Sequence, residues 1–186
     1  MYKRQPHEVV SQGNFHGEIV ALACDAMSLA LFELGSISER RMDQMLDPTR
    51  SGLPAFLASN SGLESGLMIV QYAAGSSLAE LHGQSAPRTA FSTTTSAGQE
   101  DHVSMGATAA WNLRVGVRRL SEVLACELLI ASEALEHASF SSSPHVNGLV
   151  QLVRTISPPL QGDRSTSEEL RTCLLYTSDA ADEYDR

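Results

Sequence analysis

Leu113-Arg114-Val115-Gly116-Val117-Arg118-Arg119-Leu120-Ser121-Glu122-Val123-Leu124-Ala125-Cys126-Glu127-Leu128-Leu129-Ile130-Ala131-Ser132-Glu133-Ala134-Leu135 decides the fold class. Its apolar positions Leu113, Val117, Leu120, Leu124, Leu128, Ala131 and Leu135 recur at steps of 4, 3, 4, 4, 3 and 4. That is the spacing of one face of an amphipathic helix, held for about six turns. Arg114, Arg118, Arg119, Glu122 and Glu133 fall off the stripe, which predicts a solvated or interfacial face. Upstream, Val20, Cys24, Met27, Leu31 and Leu34 keep the same period, with Gly35-Ser36 a stop or kink. A third stripe runs Leu63, Leu67, Val70, Ala74, Leu78 and Leu81, ending before Gly83 and Pro87. No stretch alternates apolar and polar residues long enough to make a strand. The expected fold is therefore all-α: a bundle of long helices near residues 17–34, 62–82 and 103–136.

Between the stripes the chain must leave the helix. Asp47-Pro48 to Pro54 carries Ser51-Gly52 and two prolines. Residues 85–98 are rich in Ser and Thr and form a loop. The cluster from Ser139 to Pro144 ends the longest helix, and a short apolar segment, Val146 to Ile156, leads to Pro158-Pro159.

Composition narrows the function. A chain of 186 residues, 42% apolar, suits one domain with a sizeable core. Thirteen basic against 22 acidic residues give a formal charge of −9, which argues against a nucleic-acid surface. The longest uninterrupted apolar run, Ile19 to Cys24, has six residues, whereas a membrane span needs about 20. No apolar segment follows Lys3-Arg4 as in a signal peptide. Three widely spaced cysteines make neither a disulfide framework nor a zinc pattern. These features predict a soluble, cytoplasmic protein with no nucleic-acid or membrane partner.

The termini differ in character from the rest. Lysine occurs once, at Lys3. Residues 173–183, Cys-Leu-Leu-Tyr-Thr-Ser-Asp-Ala-Ala-Asp-Glu, resemble one reading frame of the adaptor oligonucleotide of transposase-based sequencing libraries. Tyr2-Lys3-Arg4-Gln5 resembles its complementary strand. Residues 1–5 and 173–186 are thus expected to be non-native, to pack against nothing, and to flank a fragment. The remainder divides into a helical core at 6–137 and shorter helices and loops at 138–172.

Four places could carry chemistry. Gly13-Asn14-Phe15-His16-Gly17-Glu18 sets polar and aromatic residues between glycines just before a helix. It suits a ligand carboxylate at a helix N-terminus, or a plain helix-starting turn capped by Asn14. Gln99-Glu100-Asp101-His102 aligns three ionisable side chains. Consecutive helical residues cannot converge on one metal ion, and on an extended backbone only Glu100 and His102 share a face. No metal site is expected; a single carboxylate aimed into a pocket, or capping of the next helix, fits better. Cys24 and Cys126 lie in apolar stretches and read as small buried hydrophobes. No Gly-x-Ser-x-Gly elbow or P-loop occurs, and Ser92 to Ser96 read as loop hydroxyls.

Two long motifs resemble histidine ammonia-lyases, in the aromatic amino acid lyase family. Val10-Ser11-Gln12-Gly13-Asn14-Phe15-His16-Gly17-Glu18 is similar to that family's Ser-Gly-Gly-Asn-Phe-His-Gly/Ala-Glu. Thr95-Ser96-Ala97-Gly98-Gln99-Glu100-Asp101-His102-Val103-Ser104-Met105 resembles Thr-Ser-Ala-Asn-Gln-Glu-Asp-His-Val-Ser-Met. Between them, Glu33 to Arg41, Ser51 to Leu57 and Ser65 to Gln71 stand in the family's order, and the likeness covers roughly residues 8–137. It implies an aspartase/fumarase-type helical bundle, a homotetramer, and elimination of ammonia from L-histidine to give trans-urocanate.

By the same resemblance, Phe15 is an active-site phenylalanine contributed across a subunit interface. Glu100 lies near the bound substrate's side chain, with Asn14, His16, Gln99 and His102 in support. A carboxylate suits imidazole because it accepts an N–H and favours the cation. Glu100 with His102 points to histidine rather than phenylalanine, whose plant-type lyases carry Asn-Gln-Asp. Tyrosine or phenylalanine ammonia-lyase, or a 2,3-aminomutase, is the alternative within the family. A non-catalytic helical assembly module is the alternative outside it.

The family's electrophile, a methylidene-imidazolone, forms from an internal Ala-Ser-Gly. None occurs here, and Ser96-Ala97-Gly98 has another order. The family's N-terminal catalytic tyrosine and Tyr-Ser-x-Arg stretch are missing too. The fragment is thus expected to hold no cofactor and to be inactive alone. Gln12, Glu64 and Gly98 depart from the usual Gly, Asn and Asn.

Overall fold

A computed structural model describes residues 15–139 and 142–182, with side chains through Leu174. Helices are α1 (Glu18–Leu46), α2 (Pro48–Ser51), α3 (Met68–Gln84), α4 (Gly106–His137), α5 (Pro144–Ile156) and α6 (Ser167–Asp182). Among the described residues there is no strand, only isolated bridges at Ser61/Glu64 and Thr95/Glu100. The all-α expectation holds. Helices α1, α3 and α4 pack on one another, and α5 and α6 lie on α4. Met42, Leu57, Val70, Val123, Leu129 and Ile130 form the centre of the core. The break at Asp47-Pro48 falls as expected, with the Asp47 carboxylate accepting the Thr49 N–H at 2.8 Å to start α2.

The faces differ from the periodic reading. In α1 the apolar stripe points outward: Val20, Met27 and Leu34 are exposed, while Ala21, Asp25, Ser28, Gly35 and Ser38 are buried. Small residues bring the helices close. A Cβ at Gly35 would meet Leu81 Cδ2 at 2.9 Å, so this glycine is a packing contact and α1 runs through it without stopping. The inward face of α4 likewise lies about one residue from the predicted stripe, at Ala109, Asn112, Gly116, Val123, Cys126 and Ile130. Val117 is exposed. Glu133, predicted on the solvated face, is buried and holds α5 through Arg154 at 3.0 Å. The α3 stripe is correct from Leu67 onward, but Leu63 precedes the helix and is 83% exposed.

By length and composition, the segment Phe15–Leu46 could cross a membrane, which the count of uninterrupted apolar residues had discounted. Two of its buried polar residues, however, are tied to other parts of the fold. The Ser38 hydroxyl donates to Glu127 on α4 at 2.6 Å, and Asp25 accepts from Thr89.

At the other end, α6 crosses residues 172 and 173 unbroken, and Cys173 is buried. The expectation that residues from 173 pack against nothing therefore fails at Cys173. Leu170, three positions earlier, packs on the same core, so helical spacing carries the thiol inward. Residues 1–5 lie outside the described residues.

Gly66 offers a stability prediction. Its φ is +54°, and an added Cβ would sit 2.4 Å from the Phe56 carbonyl oxygen. That carbonyl accepts the Leu67 N–H at 2.9 Å, and the Asp163 carboxylate accepts the Ser65 and Gly66 N–H groups. Gly66→Ala should lower stability by about 2 kcal/mol in urea unfolding. Gly75→Ala, in open space on α3, should not destabilise the chain.

Candidate functional site

The start of α1 and the segment before α4 meet at one end of the bundle. Phe15–Gly17 forms a 3₁₀ turn in which His16 and Gly17 both take positive φ, 48° and 68°. This turn lays the Phe15 ring on the His16 imidazole, with centroids 3.9 Å apart and planes 25° from parallel. Facing it, residues 95–100 close a small loop. The Thr95 N–H donates to the Glu100 carbonyl at 2.9 Å, and the Glu100 N–H donates back at 3.3 Å. Ser96, Ala97 and Gly98 turn the chain with φ of 54°, 53° and 87°.

Four ionisable groups pair across this junction. His16 Nε2 lies 3.3 Å from Glu100 Oε2, and His102 Nε2 lies 3.1 Å from Glu18 Oε2. The chain bends at Asp101, and Glu100 and His102 both meet the start of α1 and the turn before it. The Ser104 hydroxyl donates to the His16 carbonyl at 3.2 Å. Glu100 Oε2 is shielded from water yet has no hydrogen bond. Its approach to His16 lacks hydrogen-bond alignment, so its acceptor capacity is unused.

Gln99 is exposed, and its backbone N–H closes the turn onto Ser96 O at 3.1 Å. Asn14 lies outside the described residues. Phe15, His16, Glu100 and His102 are thus brought together, whereas Gln99 stays at the edge. Among the described residues no group of three or more His, Cys, Asp or Glu could hold a metal ion. Cys126 is buried, and burial first, then Glu122 and Cys173, pushes its thiol up to about 12. Cys24 is only partly buried.

Three contributors escaped the sequence reading. Ser92 reads as a loop hydroxyl in the sequence, yet its Oγ accepts the Val103 N–H at 3.0 Å and touches His102 Nδ1 at 3.3 Å. Glu18 sits inside the first motif without an assigned partner. Asp25 interrupts the apolar run of α1 because it anchors the loop. Its Oδ2 accepts both the N–H and hydroxyl of Thr89, at 2.9 and 2.7 Å. A charged residue inside an apolar run was the signal for it.

Burial raises the Asp25 carboxyl, but the backbone N–H groups of Thr89 and Arg88, the Thr89 hydroxyl and the Arg88 charge outweigh it. The net pKa lies below the ordinary 3.8. The sign follows: this stabilisation is complete above the ordinary value and is lost as pH falls through the lower folded value. The stability gap between the native chain and Asp25→Asn should therefore shrink from pH 6 toward pH 3 in urea unfolding.

A family model for aromatic amino acid lyases matches residues 2–155. The chain belongs to the aromatic amino acid lyase family. It is 49% identical over 157 residues to a histidine ammonia-lyase from Deinococcus radiodurans, covering 84% of this chain and 30% of that protein. The fold superposes on a histidine ammonia-lyase from Trypanosoma cruzi with a TM-score of 0.87 and 37% identity, covering 96% of this chain and 35% of that one. It also matches a phenylalanine aminomutase from Pantoea agglomerans, with a TM-score of 0.84 and 33% identity over 90% of this chain and 33% of that one. The chain thus spans about a third of the length of the relatives it matches. The bundle architecture is that of these lyases and aminomutases.

Proposed function

We propose that this chain is the side-chain-reading part of a histidine ammonia-lyase, which eliminates ammonia from L-histidine to give trans-urocanate. The observation that carries the reading is the Glu100 carboxylate, one stacked imidazole away from the Phe15 ring, with Oε2 buried and without a hydrogen bond. A substrate imidazole can donate its ring N–H to that oxygen while its face packs on an aromatic ring. The carboxylate also favours the cationic ring, which places positive charge where a neutral side chain such as phenylalanine has none. His16 flanks the carboxylate and His102 anchors its loop; Gln99, a supporting residue by the family motif, contributes only a backbone turn, and Asn14 belongs to the same motif as His16.

The family's methylidene-imidazolone does not fit the residues present. The chain has no Ala-Ser-Gly, and Ser96-Ala97-Gly98 sits on an exposed turn with another order. Elimination of ammonia needs an electrophile to hold the amine, whereas general acid–base help from a carboxylate supplies only about 10²–10⁴-fold. The 186-residue chain alone is therefore expected to form no urocanate from L-histidine, read as ultraviolet absorbance. A rise proportional to protein and abolished by Glu100→Ala would contradict this.

Exposed apolar residues on α1, including Ile19, Val20, Leu22 and Leu29, support assembly into the homotetramer that the family resemblance implies. The acidic charge and the metabolic relatives support a cytoplasmic setting.

The direct test is a chimera in which the matched 157 residues of the Deinococcus radiodurans relative are replaced by those of this chain. Urocanate formation supports the reading. A folded chimera that turns over tyrosine or phenylalanine, or forms a β-amino acid, supports the alternative within the family. A folded chimera with no turnover supports a non-catalytic assembly module.

A further inference from the structure

Residues 90–99 are exposed, so the position of Glu100 depends on where this loop is tied down. It is tied to α1 at separate levels. Asp25 holds Thr89, Glu18 holds His102, and the His16 carbonyl receives the Ser104 hydroxyl. Glu18 and Asp25 are seven residues apart, about two helical turns, so they share one face of α1. Of these anchors, His102 is the side chain closest in sequence to Glu100.

Its ring is held from both sides. Nε2 is 3.1 Å from Glu18 Oε2, and Nδ1 is 3.3 Å from Ser92 Oγ. The Ser92 oxygen already accepts the Val103 N–H at 3.0 Å, which leaves its own proton to donate to Nδ1. An imidazole that accepts from Ser92 at Nδ1 and donates to Glu18 from Nε2 uses both contacts. Both nitrogens are satisfied by one tautomer. Glu100 is paired with Thr95 across the loop and stands two residues from His102, so an anchor at residue 102 limits where residue 100 can go.

We propose that Glu18 is a positioning residue for Glu100, acting through His102: it pins the loop so that the carboxylate stays beside the His16 ring. The assignment rests on the reading of Glu100 as the group that meets the substrate's side chain. Glu18 itself need not touch substrate.

The first test uses the 186-residue chain and needs no activity. The Phe15 and His102 ring centroids are 6.0 Å apart, close enough for a proton–proton NOE between the rings. The NOE should be present in the native chain and lost in Glu18→Gln, with the amide signals of α3 and α4 unchanged. Its absence in the native chain, or its survival in Glu18→Gln, overturns the proposal. Should Glu18→Gln unfold, Ser92→Ala removes the partner on the other ring nitrogen. The same NOE should then weaken, and its full retention is the overturning result.

The second test uses the chimera. Glu18→Gln should raise KM for L-histidine about tenfold while kcat changes by less than about threefold, as expected for lost orientation of a binding group. The double variant Glu18→Gln with His102→Asn should be no worse than either single change, because the two act as one unit. An additive double variant overturns the proposal. If Glu100→Gln leaves histidine turnover untouched, the reading of Glu100 falls, whatever the NOE shows. If Glu100→Gln impairs turnover and Glu18→Gln does not, the positioning role of Glu18 falls alone.

Discussion

Glu133→Ala is expected to destabilise the chain by about 3–5 kcal/mol, because it strips the partner from a largely buried guanidinium. Glu133 Oε2 receives Arg154 Nη2 at 3.0 Å, and Oε1 receives the Leu160 N–H at 3.0 Å. One carboxylate on α4 therefore holds both α5 and the segment after it. Leu160 is itself part of the core, so its N–H has no water to turn to. Arg154 keeps Glu136 and the Ser132 carbonyl, at 3.0 and 2.9 Å, which limits the loss. Glu133→Gln keeps an acceptor for Leu160 and should lose less. Urea unfolding by circular dichroism reads both, and a loss below about 1 kcal/mol in Glu133→Ala, the range of exposed ion pairs, would contradict the account.

In the chimera, Glu100→Ala should lower kcat/KM for L-histidine about 10²-fold. A hydrogen bond to a charged group is worth about 1.5–3 kcal/mol, and each 1.4 kcal/mol is about tenfold. Glu100→Gln keeps the acceptor and loses the charge, so about a tenfold loss is expected on the same scale. Binding of the product should suffer less than turnover of histidine. Phe15→Ala should also impair turnover by removing the aromatic face. Steady-state kinetics on the purified chimera checks all three, and equal rates for Glu100→Ala and the parent would contradict the role of this carboxylate.

The helical class was legible because the stripes repeat at 3.6 residues, a signal that survives whichever face turns inward. The inward face was not legible. Periodicity finds apolar stripes, yet α1 and α4 pack through Ala21, Gly35, Ala109 and Gly116, where the absence of bulk lets the backbones approach. The larger residues Val20, Met27 and Val117 then face outward. Buried charge was misplaced for a related reason. Glu133 looked like surface because nothing in its own helix announces Arg154, 21 residues away, as a partner.

The site was partly legible. Glu100 and His102 could be placed on one face because extended backbone alternates, and the structure turns both toward α1. Which groups they would meet was not readable from the sequence. Each partner lies more than 80 residues upstream, at His16 and Glu18. Ser92 shows the same limit at shorter range, since a hydroxyl in a Ser/Thr-rich loop has no local mark of its hydrogen-bond partner.

If this stretch reads a histidine side chain, relative specificity must show it. The measurement is kcat/KM of the chimera for L-histidine against L-tyrosine, with products separated by chromatography. One charge-assisted hydrogen bond should give at least about a 10²-fold preference for histidine, collapsing in Glu100→Ala. Equal or greater turnover of tyrosine, or a preference that survives Glu100→Ala, would contradict it.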